Sequence, residues 1–71
     1  MPLAKVATLK QLTAFHTVAR LGSISKAATE LHLTQSAVSI QVGTIEATVG
    51  TPLLVRTGRG VRLTEAGELL L

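Results

Sequence analysis

SISKAATELHLTQSAVSIQVGTIEATVG, residues 23–50, is the stretch whose reading decides the fold. It holds two segments of helical period joined by a few residues. In the second segment Val38, Val42, Ile45 and Val49 recur at spacings of four, three and four, which aligns them on one helical face. Thr34 precedes it as an N-cap. Gly50 follows as a terminator, and Pro52 stands where a helix cannot resume. The pattern predicts a helix from about Gln35 to Val49. Its β-branched residues lower intrinsic helicity by tenths of a kcal/mol each, and Gly43 costs about 1 kcal/mol relative to alanine. Packing must override both. The first segment is short. Ser23 or Ser25 can cap it, and Ala27, Ala28 and Leu31 form its inner face. Two adjacent alanines let another helix approach closely there. His32–Leu33 then makes a tight connection, with His32 packed in the turn and Leu33 turned inward.

Working outward, Leu9, Leu12, Phe15, Val18 and Ala19 form the apolar stripe of an upstream helix. It is expected to start near Thr8 and to end at Leu21–Gly22–Ser23, with Gly22 as its terminating glycine. Met1–Ala7 lacks a clear period and is expected to fray. Downstream, Leu53–Thr57 and Val61–Leu63 are β-prone runs around Gly58–Arg59–Gly60. They predict a hairpin with a three-residue loop, whose glycines supply positive φ. Thr64 then looks like an N-cap, with Glu65 and Glu68 where the helix dipole favours acids. Leu69–Leu70–Leu71 close the sequence and suggest the start of a longer helix, cut short. The expected fold is mainly α with a small β-hairpin: three helices, a wing at about 53–63, and a truncated linker helix from 64, all in a single domain over residues 1–71.

Composition agrees with a small folded domain. The 71 residues are 46% hydrophobic and 15% charged, too apolar for a disordered chain. Phe15 is the one aromatic residue, so the core must come from Leu, Val, Ile and Ala. There is no cysteine, hence no disulfide framework or thiolate metal site. His16 and His32 are too isolated for a metal site and read as packing or surface residues. No apolar run approaches the roughly 20 residues that cross a bilayer. A secretory h-region is lacking at the start. A cytoplasmic location is the default. No paired carboxylates, nucleophile–base set or phosphate-binding glycine loop is present, so an enzyme is not expected.

Two helices joined by a tight turn give helix-turn-helix geometry, here at about 24–43. In that arrangement the second helix enters the major groove by its N-terminus. Opposite Val38 lie Ser36, Ile40, Gly43 and Ala47, a face of small side chains without an acid. It suits a groove about 12 Å wide. Gln35 can bond adenine through two hydrogen bonds, and Ser36 or Ser39 can bond base edges or phosphate. The net charge of +3 is modest, but Arg56, Arg59 and Arg62 cluster between Thr51 and Thr64 with no acid. That cluster is equally a solvated turn. A polar solvent face on an ordinary helical domain also remains open, because this geometry is not unique to DNA binders.

Across Leu9–Gly67 the sequence resembles the N-terminal domain of LysR-type transcriptional regulators. The matching residues are Leu12, Phe15, Gly22–Ala28, Leu31, Gln35–Ser39, Gln41, Glu46, Gly50, Leu53, Leu54, Arg56 and Leu63–Gly67. Leu31–Gln35 further resembles the branch that controls carbon-fixation operons. The resemblance implies a winged helix-turn-helix that binds double-stranded DNA at an inverted repeat. Its DNA-binding residues would be Lys26, Thr34, Gln35, Ser36, Ser39, Ile40, Arg56 and Arg59. It implies a homodimer through the helix starting at Thr64, and a small-molecule effector if a C-terminal domain follows. No cofactor or metal is implied. Many relatives carry Arg at the position of Ile40 and a polar or basic residue at Gly43. Ile40 can instead contact a thymine methyl. Arg56 has two readings, a phosphate ligand or a structural bridge to Glu46. A protein-interaction module without DNA binding is the alternative for the whole.

Overall fold

Helix α1 spans Pro2–Leu21 in the computed structural model, which describes the backbone of residues 2–71 and the side chains of residues 9–71. It starts well before Thr8. Pro2 fits a first helical turn, where its missing N–H costs nothing, and Ala4, Lys5 and Ala7 favour helix. An apolar stripe marks what packs, not where the helix begins. The expectation for Met1 lies outside the described residues. The buried face is Ala14, Phe15, Thr17 and Val18. The Thr17 hydroxyl donates to the Thr13 carbonyl at 2.7 Å, so its burial leaves no unpaired donor. Leu9 is 62% exposed and lies outside the core, against expectation. It borders a shallow groove with Leu31, Leu33 and Gln41.

Helix α2 covers Ile24–Leu31 and helix α3 covers Gln35–Val49. Ser23, rather than Ser25, caps α2: its hydroxyl accepts from the Lys26 N–H at 3.1 Å. At the other end His32 takes a left-handed conformation (φ 57). The Leu33 N–H then reaches the Ala28 carbonyl at 2.9 Å and the His32 N–H reaches Thr29 at 3.3 Å, the paired bonds of a Schellman turn. Histidine is among the side chains that tolerate this conformation. The reversal leaves Leu33 46% exposed and His32 exposed, so neither packs inward as expected. His32 contributes its backbone instead. Thr34 caps α3, its hydroxyl accepting from the Ala37 N–H at 3.0 Å, and Gly50 closes it at φ 86. Val38, Val42 and Ile45 are buried as the period predicts. Val49, at the last helical position, is 47% exposed.

Strands β1 (Leu54–Thr57) and β2 (Gly60–Leu63) pair antiparallel, with Leu54 opposite Leu63 and Thr57 opposite Gly60. The loop is therefore two residues, Gly58–Arg59, not three. The positive φ falls at Gly60 (138), inside β2. A Cβ there would overlap the Gly22 carbonyl, because the hairpin lies directly on the α1–α2 turn. The Val61 N–H donates to that same carbonyl at 3.1 Å.

Helix α4 runs Glu65–Leu70 behind its cap Thr64, whose hydroxyl accepts from the Gly67 N–H at 3.0 Å. That hydroxyl also donates to the Pro52 carbonyl at 2.7 Å, and the Thr64 N–H donates to Leu53 at 3.0 Å. The core joins Phe15 and Val18 of α1, Ala27 and Ala28 of α2, Val38 of α3, and Leu53. The alanine pair is fully or nearly fully covered, as close helix approach requires. No described helix is long and apolar enough to cross a membrane.

Candidate nucleic-acid interface

The first turn of α3 is open to solvent. Thr34, Gln35 and Ser36 are all exposed, and no acid stands in that turn. The Thr34 hydroxyl oxygen accepts the capping bond, which fixes the helix start and leaves its O–H available to donate. Below Ser36 the exposed face continues through Ile40, Gly43, Thr44 and Ala47. Lys26 is exposed on α2. The N-terminal amides of α3 add a partial positive charge at the same end.

Ser39 sits differently. It is half-buried, and its hydroxyl accepts from Nη2 of Arg56 at 3.1 Å. That bond ties the middle of α3 to β1. Glu46, one of the two partners considered for Arg56, is engaged elsewhere. Its carboxylate accepts from the Leu53 N–H at 2.7 Å and from the Leu54 N–H at 3.1 Å. The Arg56–Glu46 bridge is therefore not formed. Among the described residues the ion pair present joins Arg20 of α1 to Glu30 of α2, both about half exposed. The Arg56 guanidinium meets a neutral hydroxyl and forms no ion pair with a carboxylate among the described residues.

Arg59 is exposed at the hairpin tip, and Arg62 is exposed on β2. The backbone N–H of Arg59 donates to the Thr57 hydroxyl at 3.2 Å, which orders the tip without using the guanidinium. The acids lie away from this surface or are engaged: Glu30 with Arg20, Glu46 with backbone amides, Glu65 and Glu68 on α4. Among the described residues no three of His, Asp or Glu are grouped to hold a metal ion.

The structure thus places Ser36 and Ile40 on one face of α3 with Gln35 exposed at the helix start, and brings Ser39 to Arg56. Arg59 stands on the hairpin tip and Lys26 on the neighbouring helix. Sequence reasoning missed the Ser39–Arg56 bond and the double use of Glu46. Neither has a local signature, since the partners lie 17 and 7 residues apart and meet only once the hairpin is folded.

A three-helix core with a capped helix-turn-helix and an adjoining antiparallel hairpin defines a winged helix-turn-helix. The family model "Bacterial regulatory helix-turn-helix protein, lysR family" matches residues 9–68. The chain belongs to the LysR family of bacterial regulatory helix-turn-helix proteins. It is 48% identical over 67 residues to the HTH-type transcriptional activator CmpR of Synechocystis sp., covering 94% of this chain and 22% of that protein. It is 52% identical over 63 residues to the regulator CbbR of Rhodospirillum rubrum, covering 89% and 21%. The regulator TrpI of Pseudomonas aeruginosa matches at the same 52% over 63 residues, so identity alone does not choose an operon class. The chain spans about a fifth of the length of these relatives. Among solved structures, the DNA-binding domain of CbnR in complex with DNA superposes at TM-score 0.83 with 40% identity, covering 87% of this chain and 71% of that one. The BenM DNA-binding domain bound to catB site 1 DNA gives TM-score 0.83 and 34% identity, covering 87% and 70%.

Proposed function

We propose that this chain is the sequence-specific DNA-binding part of a transcription regulator. The observation that carries the reading is the acid-free outer face of α3 beside an arginine-bearing hairpin, in a fold shared with domains solved on DNA. In this reading α3 enters the major groove by its N-terminus. Gln35 and Ser36 contact base edges there. Lys26, Arg56 and Arg59 meet phosphates or the minor groove, which fixes register without carrying sequence. The regulator binds an inverted repeat as a homodimer, paired through a longer helix that continues from α4. A C-terminal effector-binding domain and a cytoplasmic location complete the proposal. The curated relatives are transcription regulators, and the reading includes no catalytic step.

The test is selection of bound sites from random duplexes, followed by affinity against salt. The expected result is a recurring half-site and binding that weakens steeply from low to moderate salt. Salt-independent association with a protein, and no retained duplex, would overturn it.

A further inference from the structure

We infer that Ile40 reads the C5 methyl group of a thymine, making it the apolar specificity determinant of this interface. The inference rests on the DNA-binding reading above and deepens it. A single exposed isoleucine on a protein surface is ordinary. What surrounds Ile40 is not. The residue is 67% exposed, more than any other large apolar side chain outside α4 among the described residues. It stands one turn below Ser36, in the centre of the solvent face of α3.

From Ile40 onward that face offers no free donor. The Thr44 hydroxyl donates to the Ile40 carbonyl at 2.8 Å, and the Thr48 hydroxyl donates to the Thr44 carbonyl at 3.0 Å. Both are turned back on the helix. Gly43 and Ala47 carry no polar atom. Gly43 is not required by packing either, because a Cβ there would meet nothing within 4 Å. Its open surface lets the helix backbone come close to a groove floor beside Ile40. Every base edge in the major groove is read by hydrogen bonds except one feature, the thymine methyl. An apolar branched side chain flanked by glycine and spent hydroxyls matches that feature and none of the others.

The test pairs one atom group on the DNA with one side chain. A duplex taken from the selection above is remade with uracil replacing each thymine in turn, which removes the methyl and leaves every hydrogen bond. Affinities are measured for the unaltered chain and for Ile40→Ala, with circular-dichroism melting to show that both are folded. One thymine per half-site should weaken binding about fourfold when replaced, the affinity equivalent of one buried methyl. With Ile40→Ala that penalty should vanish. A penalty that persists unchanged with Ile40→Ala, or no uracil penalty anywhere in the site, overturns the inference while leaving DNA binding intact. Failure to retain any duplex overturns the DNA-binding reading, and this inference with it.

Discussion

Gln35 and Ser39 lie one turn apart on α3 and have different surroundings. Gln35 is exposed at the helix start, while Ser39 is half-buried against Arg56. Their substitutions should therefore differ in kind. Gln35→Ala is expected to cost about 1–3 kcal/mol on a selected site and much less on random duplex. Equal losses in fluorescence titrations of the two would remove Gln35 from base reading. Ser39→Ala releases the Arg56 guanidinium from its position and should weaken DNA binding by about 1 kcal/mol. In an Arg56→Ala background the same change should have almost no effect, since interacting residues are non-additive. Full additivity in that double-mutant cycle would assign Ser39 to the DNA instead. Gln35 was legible in sequence because Thr34 marks the helix start. The Ser39–Arg56 bond was not, because it depends on where a distant hairpin comes to rest.

At the scale of elements, α3 carries its weakness in the open. Gly43 sits in a helix interior with free space around its Cα. Gly43→Ala should stabilise the fold by about 1 kcal/mol, measured as a higher urea midpoint with unchanged slope. No gain would mean that the glycine serves the helix itself. For the hairpin, Arg59→Ala should lower the salt slope of DNA binding by about one while affecting all sequences alike. An unchanged slope would take the tip off the phosphates. Helix α3, both of its caps and the existence of the hairpin were readable, because period and punctuation are local. The start of α1 was not, since helix propensity continues through Ala4 and Ala7 where no apolar stripe reports it. The loop length was misjudged because Gly60, though glycine, belongs to β2 and is glycine to clear Gly22.

For the whole molecule, stability rests on a small core and a few close backbone approaches. Gly67 is buried, and a Cβ on it would overlap the Leu53 carbonyl. Gly67→Ala should cost on the order of 1–3 kcal/mol, seen as a lower melting temperature, because α4 must move off the segment leading into β1. An unshifted melt would show that α4 is only loosely attached. Such long-range contacts are invisible to a periodicity. So was the exposure of Leu33, which follows from the left-handed turn at His32 rather than from hydrophobicity.

The hairpin is held from three sides: by Glu46 at Leu53 and Leu54, by Gly22 at Val61, and by Thr64 at Pro52 and Leu53. Gly58–Arg59 alone lies outside both these anchors and the strand pairing. Insertions are therefore best absorbed at the tip, whereas a deletion from this two-residue loop would break the Thr57–Gly60 pairing. Descendants of this sequence could lengthen their reach along a duplex by inserting residues between Thr57 and Gly60, and α3 would keep its aim.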